Sequence, residues 1–310
     1  MTAPADNLSS DRSPRLQQLA PGVFAYLQPD GGWMVNNTGA VVGDRAVVLV
    51  DTTSTERRNR ALLAAVAGVS GDKPVRTVVN THHHADHTLG NWLLAGAEIV
   101  GHRLCREEVL RAGLIATALF TGPDYGHLEV APPTLTFEDR LTLHVGAVRV
   151  ELEFVGPAHT LGDLVVWLPD AEVVFAGDLV FNGGHPFLLE GCLGNYPAAL
   201  DRVRRLGPRV VVPGHGPLAG PEVLDRMTAY AQWLSATAAD SHARGLPPLE
   251  AARRADLGPF AGLREAERLV GNLARAYSEL EGQPWGTALP LAPVAVAMAE
   301  FAGGPLRCLA

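Results

Sequence analysis

Apolar positions near the start of the chain fall into short runs, VFAYL, WMV, GAVVG and RAVVLVD, between residues 23 and 51, separated by Gly, Asn and Asp. Runs rich in β-branched and aromatic residues and bounded by turn formers predict a meander of buried strands. Residues 55–69 change period: apolar side chains recur at helical spacing among Ala, Leu and Arg, predicting an amphipathic helix that ends near Gly71, before a strand at 76–79. A further strand is predicted at 97–100 and a helix at 103–118, after which TGPDYGH and APP mark a loop. LTF, LTLHV, VRVELEFV, LVVWL and VVFAGD then follow between 135 and 180 with little room for helices, predicting a second sheet and a sheet-on-sheet core. A helix at 196–206 leads through Gly207-Pro208 to a strand at 209–212, which stops at Pro213-Gly214. Beyond Gly220 Ala, Leu, Arg and Glu dominate, with breaks at 246–248, 258–259 and 282–284, so the last third is expected to be helical. The resulting division is a flexible tail at 1–13, an α/β body at 14–220 and a helical extension at 221–310 packing on the same domain.

Composition removes several classes of function. The 310 residues are 47% apolar and 19% charged, ordinary values for a globular chain and wrong for disorder. Lys plus Arg is 25 against 33 for Asp plus Glu, a net charge of −8 that disfavours sequence-independent binding to nucleic acid. Cys105, Cys192 and Cys308 are an odd, scattered set without disulfide-scaffold or zinc-module spacing, which predicts reduced thiols and a cytoplasmic protein. The first twenty residues carry Asp6 and Asp11 and no signal-type apolar core, and no apolar run approaches the roughly 20 residues that span a bilayer.

Chemistry concentrates after the strand RTVVN, where Thr81-His82-His83-His84-Ala85-Asp86-His87 crowds imidazoles and a carboxylate into one turn. A solvated His-rich turn is the plain alternative. Imidazole nitrogen and carboxylate oxygen are zinc donors, and a loop leaving a strand can turn His82, His84, Asp86 and His87 into one cavity while His83 points elsewhere. His159 in VGPAHTLGD, Asp178 in VVFAGD and His215 in VVPGHG each end a predicted strand near a Gly that permits a close turn. That recurrence favours a metal centre. Asp51, which closes RAVVLVD, also reads as an ordinary turn or helix N-cap residue.

The order H-x-H-x-D-H followed by a distant His, Asp and His resembles the metallo-β-lactamase-fold superfamily over about residues 23–220. The resemblance implies an α/β αββα sandwich with a dinuclear site, usually two Zn²⁺, at one edge. By position, His82, His84 and His159 would hold one metal, Asp86, His87 and His215 the second, and Asp178 would bridge them, with Asp51 supporting the metal loop. Iron or manganese would be accepted by the same donors. Paired cations bring the pKa of a shared water toward neutrality and clamp a carbonyl oxygen, which predicts hydrolysis; the same Lewis acidity stabilises an enolate and opens carbon–carbon condensation. Asp at the bridging position resembles the glyoxalase II-like branch, whereas antibiotic-hydrolysing members usually carry Cys or Ser there. Nuclease members would add an inserted domain or a basic patch, and neither is visible between Asp178 and His215.

A closer resemblance covers nearly the whole chain. GGWMVNNTGAVVG, LTLHVG, VGPAHTLGDLVVWLPD, FAGDLVFNGGHPF, PPLEAARRADLGPFAGLREAERLVGNLARA and the terminal CLA look like the actinorhodin-type second-ring cyclases of aromatic (type II) polyketide biosynthesis. This implies a ring-bearing poly-β-ketone on an acyl carrier protein, closed by intramolecular aldol condensation and dehydration. Asp86 or the metal-activated water would remove the α-proton, and thioester cleavage would release the product. The alternative is a glyoxalase II-like thioester or lactone hydrolase. An iron-based redox role and a non-enzymatic scaffold are further readings, the scaffold disfavoured because every expected ligand is present.

The loop FNGGHPFLLEGC at 181–192 is expected to line the substrate pocket through Asn182, His185 and Phe187, with Trp33, Met34 and Tyr125 as further candidates; core packing is the alternative. Cys192 and Cys308 are expected to be inert, and His102, His127, His144 and His242 structural or superficial. Arg202, Arg204, Arg205, Arg253 and Arg254 read equally as solvated helix faces or as a docking patch for an acidic carrier protein. An apolar face on the C-terminal helices would allow a homo-oligomer.

Overall fold

A computed structural model describes residues 13–29 and 31–310. Apart from Ser13, the tail expected at 1–13 lies outside the described residues. Strands β1 (Arg15–Ala20), β2 (Val23–Leu27), β3 (Thr38–Val42), β4 (Val47–Val50), β5 (Val75–Val79), β6 (Glu98–His102) and β7 (Leu135–Phe137) form one sheet in chain order. Pairing is antiparallel from β1 to β4 and parallel from β4 to β7. Strands β8 (Arg140–Val145), β9 (Val148–Phe154), β10 (Leu164–Leu168), β11 (Val173–Phe181) and β12 (Val210–His215) form the second sheet, antiparallel except for the parallel pair β11 and β12.

The two-residue period of a strand explains the layering. In β4, Val48 and Val50 join Val23, Ala25 and Val41 against Val150, Leu152, Val166 and Phe175 of the other sheet, while Val47 and Leu49 face outward onto Leu62 and Val66 of helix α1 (Glu56–Ser70). The outer face of the second sheet, Val165, Trp167, Val174 and Ala176, is covered by α4 (Tyr196–Leu206), α5 (Glu222–Ala243) and α7 (Arg268–Leu280). The result is the expected αββα sandwich. Short helices α2 (Ala85–Thr88), α3 (Arg103–Ala112) and α6 (Pro248–Arg254), with the terminal α8 (Leu291–Ala302), complete the layers. Val270, Leu273 and Ala276 of α7 and Met298 of α8 share one apolar core with the sheet and with α4 and α5. Among the described residues no helix is long and apolar enough to cross a membrane.

Local departures from the sequence expectation have physical causes. WMV is no strand: Trp33 and Met34 occupy a turn in which Met34 has φ 61°. RLQQLA does form a strand, β1, at the sheet edge, where its largely exposed residues carry little hydrophobic pattern. The helix expected at 103–118 stops at Ala112, where Gly113 takes φ 54°, and a separate 3₁₀ turn covers Ile115–Ala118. Thr55 caps α1, its hydroxyl accepting from the Arg58 N–H, so Asp51 is not the cap and is free for another task.

Candidate metal centre

Several strands end at one edge. β4 delivers Asp51 and β5 the turn 80–87; His159 lies in the connection from β9 to β10; Asp178 is within β11 and His215 is the last residue of β12. Donor atoms of His82, His84, His159 and Asp178 all lie within 4.8 Å of one another, as do those of Asp86, His87 and His215. The carboxylate of Asp178 reaches both groups: Oδ1 is 3.1 Å from His87 Nε2, and Oδ2 is 3.3 Å from His215 Nε2 and 3.4 Å from His159 Nε2. Asp86 Oδ2 is 3.1 Å from His215 Nε2. Backbone approach behind Asp178 requires a glycine, since a Cβ on Gly214 would sit 1.8 Å from Asp178 Oδ1.

The outer nitrogens of the five rings decide what the inner ones can do. His159 Nδ1 is 2.5 Å from the Phe187 carbonyl, His84 Nε2 is 2.9 Å from Glu190 Oε2, and His87 Nδ1 is 2.8 Å from Asp51 Oδ2. His215 Nδ1 faces the carbonyls of Gly31 and Gly32 at 3.2 and 3.1 Å. The Thr81 hydroxyl donates to Asp51 Oδ2 at 2.7 Å and therefore accepts from His82 Nδ1 at 3.1 Å. Each partner is an acceptor, so each outer nitrogen carries a proton, and the inner nitrogen of a neutral ring presents a lone pair.

The lone pairs then confront one another. His159 Nε2 is 2.8 Å from His84 Nδ1 and 3.2 Å from His82 Nε2, and neither contact has a proton to share in these tautomers. His87 Nε2 and Asp178 Oδ1 are buried without any hydrogen-bond partner. Burial, with the neighbouring imidazoles, holds His82 well below its ordinary pKa. Burial opposes charge on Asp178 and Asp86 as well, but the facing imidazoles outweigh it, keeping Asp178 well below the carboxylate range and Asp86 at about 2. Burial opposes charge on His87 and His215 too, but the facing carboxylates outweigh it, raising His87 well above its ordinary value and His215 to about 9. The buried carboxylates thus demand positive charge, which protons on these two rings supply and which cations would supply in their place. The donor set therefore fits two divalent first-row cations of the zinc type.

Asp51 supports both halves, accepting from the Thr81 N–H at 2.7 Å and from the Thr81 hydroxyl, which backs His82, as well as from His87. His83 turns away from the centre toward Glu190, 3.5 Å from its carboxylate.

A cavity of about 380 Å³ opens onto these donors, and its apolar wall includes Trp33, Phe120, Leu161, Phe187, Met298 and Leu306. Trp33 is pinned by its backbone N–H to Glu265 (2.6 Å) and its indole N–H to Glu267 (2.7 Å), with the Arg268 guanidinium 4.1 Å over the ring. Phe187, Trp33 and Met34 thus fall on the cavity wall, whereas three other candidates do not. Asn182 turns its amide to the Pro217 carbonyl. His185 is fully buried against the Tyr230 hydroxyl, and Tyr125 packs with Met34, Leu89 and Cys308 behind the wall.

Burial pushes the thiols of Cys192 and Cys308 up to about 12 and about 11, so both are protonated and poor nucleophiles. His102 accepts from the Leu104 N–H at the start of α3 and stacks on Phe154; His127 and His242 pair with Glu129 and Glu281, and His144 lies on the exposed face of β8. Arg204, Arg205, Arg253 and Arg254 pair with acidic neighbours on helix faces. Glu190, Arg268, Asn272 and Arg275 were not singled out from the sequence, although the last three form a polar stripe at helical spacing in an apolar segment.

The chain is similar to known proteins. The chain is 25% identical over 221 residues to a metallo-beta-lactamase type 2 of Bacteroides fragilis, a match spanning 68% of this chain and 82% of the relative. It is 30% identical over 138 residues to a hydroxyacylglutathione hydrolase of Rhodospirillum rubrum, but that match spans only 44% of this chain and 45% of the relative. A solved metallo-beta-lactamase from Pontibacter korlensis superposes with a TM-score of 0.60 at 23% identity, over 71% of this chain and 99% of that one. The family-level match to the metallo-beta-lactamase superfamily covers residues 31–215. That span contains every strand end bearing a donor, and the chain belongs to the metallo-beta-lactamase superfamily.

Proposed function

We propose that this chain is a dinuclear metal-dependent cyclase of aromatic polyketide biosynthesis. It closes a further ring on a carrier-bound poly-β-ketone by intramolecular aldol condensation and dehydration, with thioester cleavage releasing the product. In this reading His82, His84 and His159 hold one ion, Asp86, His87 and His215 the other, and Asp178 lies between them. Bound Zn²⁺, or iron or manganese in the same donors, would supply Lewis acidity at a ketone or thioester oxygen.

The observation that carries the reading is the cavity: a broad, largely apolar, aromatic-walled space ending on the donor cluster suits a flat ring-bearing ketone. Trp33, fixed by Glu265 and Glu267, offers a rigid surface for such a ring, and Phe187 meets it edge-on at 5.0 Å between centroids. Asp86 lines the same cavity and is ionised at neutral pH, so its carboxylate can take the α-proton and return it to the alkoxide formed on ring closure; removal of a second α-proton then expels the new hydroxyl as water. A carrier protein would deliver the chain as a thioester, and the free, buried cysteines accord with a reducing, cytoplasmic setting.

A second reading, a glyoxalase II-like thioester or lactone hydrolase, is favoured by the carboxylate of Asp178 between the two donor groups and by the likeness to hydroxyacylglutathione hydrolases. Metal analysis of the purified protein, coupled to product analysis with a bicyclic thioester mimic before and after chelation, separates the two. A condensed aromatic product lost on chelation supports the cyclase, and free acid alone supports the hydrolase. Turnover indifferent to complete metal removal would sink both.

A further inference from the structure

Residues 185–190 form an irregular strap between the metal centre and the C-terminal helices, and its polar groups are claimed from both sides. On the far side Arg268, Asn272 and Arg275, spaced by four and three residues, share one face of α7 and are fully buried. Arg268 Nη1 donates to the His185 carbonyl at 2.8 Å, and Asn272 donates to the Pro186 carbonyl at 2.9 Å while accepting from the Leu188 N–H at 2.8 Å. Arg275 donates twice to the Leu189 carbonyl, at 2.9 and 2.7 Å. A buried loop without a ladder must have its backbone groups satisfied, and α7 does this residue by residue.

On the near side the same strap presents the Phe187 carbonyl to His159 Nδ1 and the Glu190 carboxylate to His84 Nε2. Glu190 is itself steadied by His83 at 3.5 Å and by Arg111 at 3.4 Å. The other donor group owes nothing to the strap: His87 is oriented by Asp51, and His215 by the carbonyls of Gly31 and Gly32.

We propose that the strap 185–190, held in place by α7, tunes metal affinity at the three-histidine position alone, with Glu190 as the positioning residue for His84. The proposal rests on the dinuclear reading above. Carboxylates and carbonyls behind a ligating imidazole fix its tautomer and orientation, and their loss typically weakens metal binding about 10–100-fold. Arg268, Asn272 and Arg275 thereby gain a reason to be buried together beside a core that could otherwise be apolar.

The test is titration of the full-length apoprotein with Zn²⁺ against a chromophoric chelator. Wild type should take up two ions. Glu190→Ala, a change at a partly exposed side chain, should weaken one ion about 10–100-fold and leave the other unchanged, with Glu190→Gln recovering part of the loss. In a His215→Ala background, where the three-histidine position is left with its full donor set, Glu190→Ala should weaken the remaining tight ion by the same factor. Asn272→Ala should act in the same direction; if it unfolds the protein, the Glu190 pair still decides. Two wild-type ions with Glu190→Ala binding both as tightly, or losing both equally, would overturn the proposal while leaving the dinuclear reading intact. A wild type that takes up no ions would overturn both.

Discussion

His84 Nδ1 and His159 Nε2 lie 2.8 Å apart while the far nitrogen of each ring donates, to Glu190 and to the Phe187 carbonyl. Two lone pairs held face to face in a buried site repel unless a cation or an added proton lies between them. Metal removal should therefore destabilise the fold. A thousandfold excess of free Zn²⁺ over Kd should stabilise by about 4 kcal/mol for each ion. Thermal unfolding with and without chelator checks this, and identical midpoints would refute it.

Gly214 stands where no side chain fits. A Cβ there would meet Asp178 Oδ1 at 1.8 Å and the backbone of Gly177 and Asp178 at 2.8 and 2.9 Å. Gly214→Ala should push the Asp178 carboxylate from its place between the donor groups, reducing bound metal and turnover, and should cost about 1–3 kcal/mol of stability through overpacking. Metal content beside a urea melt measures both effects. Full metal content in the variant would show that the carboxylate is not needed between the ions.

Asp51 is fully buried and accepts from the Thr81 N–H, the Thr81 hydroxyl and His87. Burial raises its pKa, an effect that His87 and Thr81 oppose. Asp51→Ala leaves those donors without acceptors and should cost about 3–5 kcal/mol, as when one partner of a buried pair is removed. It should also weaken metal binding at both positions, because His82 through Thr81 and His87 directly depend on it. Selective loss at one position would contradict this shared role, in deliberate contrast to the single-position effect expected of Glu190→Ala.

What the sequence displayed and what it hid follow from the range of the interactions involved. His82 to His87 crowd a single turn, and His159, Asp178 and His215 each end a β-type run near glycine, so the donors were legible as local patterns. Asp51 is ambiguous in the sequence between a cap and a support for the metal loop, and Thr55 in the capping position resolves it. β1 is not legible because a half-exposed edge strand carries no hydrophobic alternation, and WMV imitates a strand because apolar residues report burial without reporting direction. Glu190 and the α7 stripe were invisible for another reason: Asn272 and Arg275 meet the strap across 84 to 86 residues of sequence, a separation that leaves no spacing to recognise. His185 drew attention as a loop imidazole in a glycine-rich segment, yet it serves the core.

Trp33 and Phe187 bear on the cavity without being among the metal donors. Trp33→Ala should leave two ions bound while lowering kcat/KM for a polycyclic thioester mimic by about tenfold, consistent with the roughly 0.5–1.5 kcal/mol that an aromatic pair contributes beyond its buried area. A small acyl thioester should be turned over with little change. Equal loss on both substrates would show that Trp33 acts on the metal centre and not on ring recognition.

His185 gives the pH dependence a definite sign. The Tyr230 hydroxyl accepts from Asn272 at 3.2 Å and so donates to His185 Nδ1 at 2.9 Å, which fixes a neutral ring. Burial, and secondarily the Arg268 guanidinium, lower its pKa to about 4. Its unfolded value is about 6.5, so the folded state resists protonation. The stability this neutral ring contributes is full above pH 6.5 and declines as pH falls toward 4, by up to about 3 kcal/mol at the acid end. Urea unfolding of wild type and His185→Gln at pH 7.5 and pH 5 isolates the effect, because the other histidines are common to both proteins. The stability difference between them should narrow by 1 to 2 kcal/mol at about pH 5, in favour of the variant. A difference constant across that interval would mean that His185 titrates normally despite its burial.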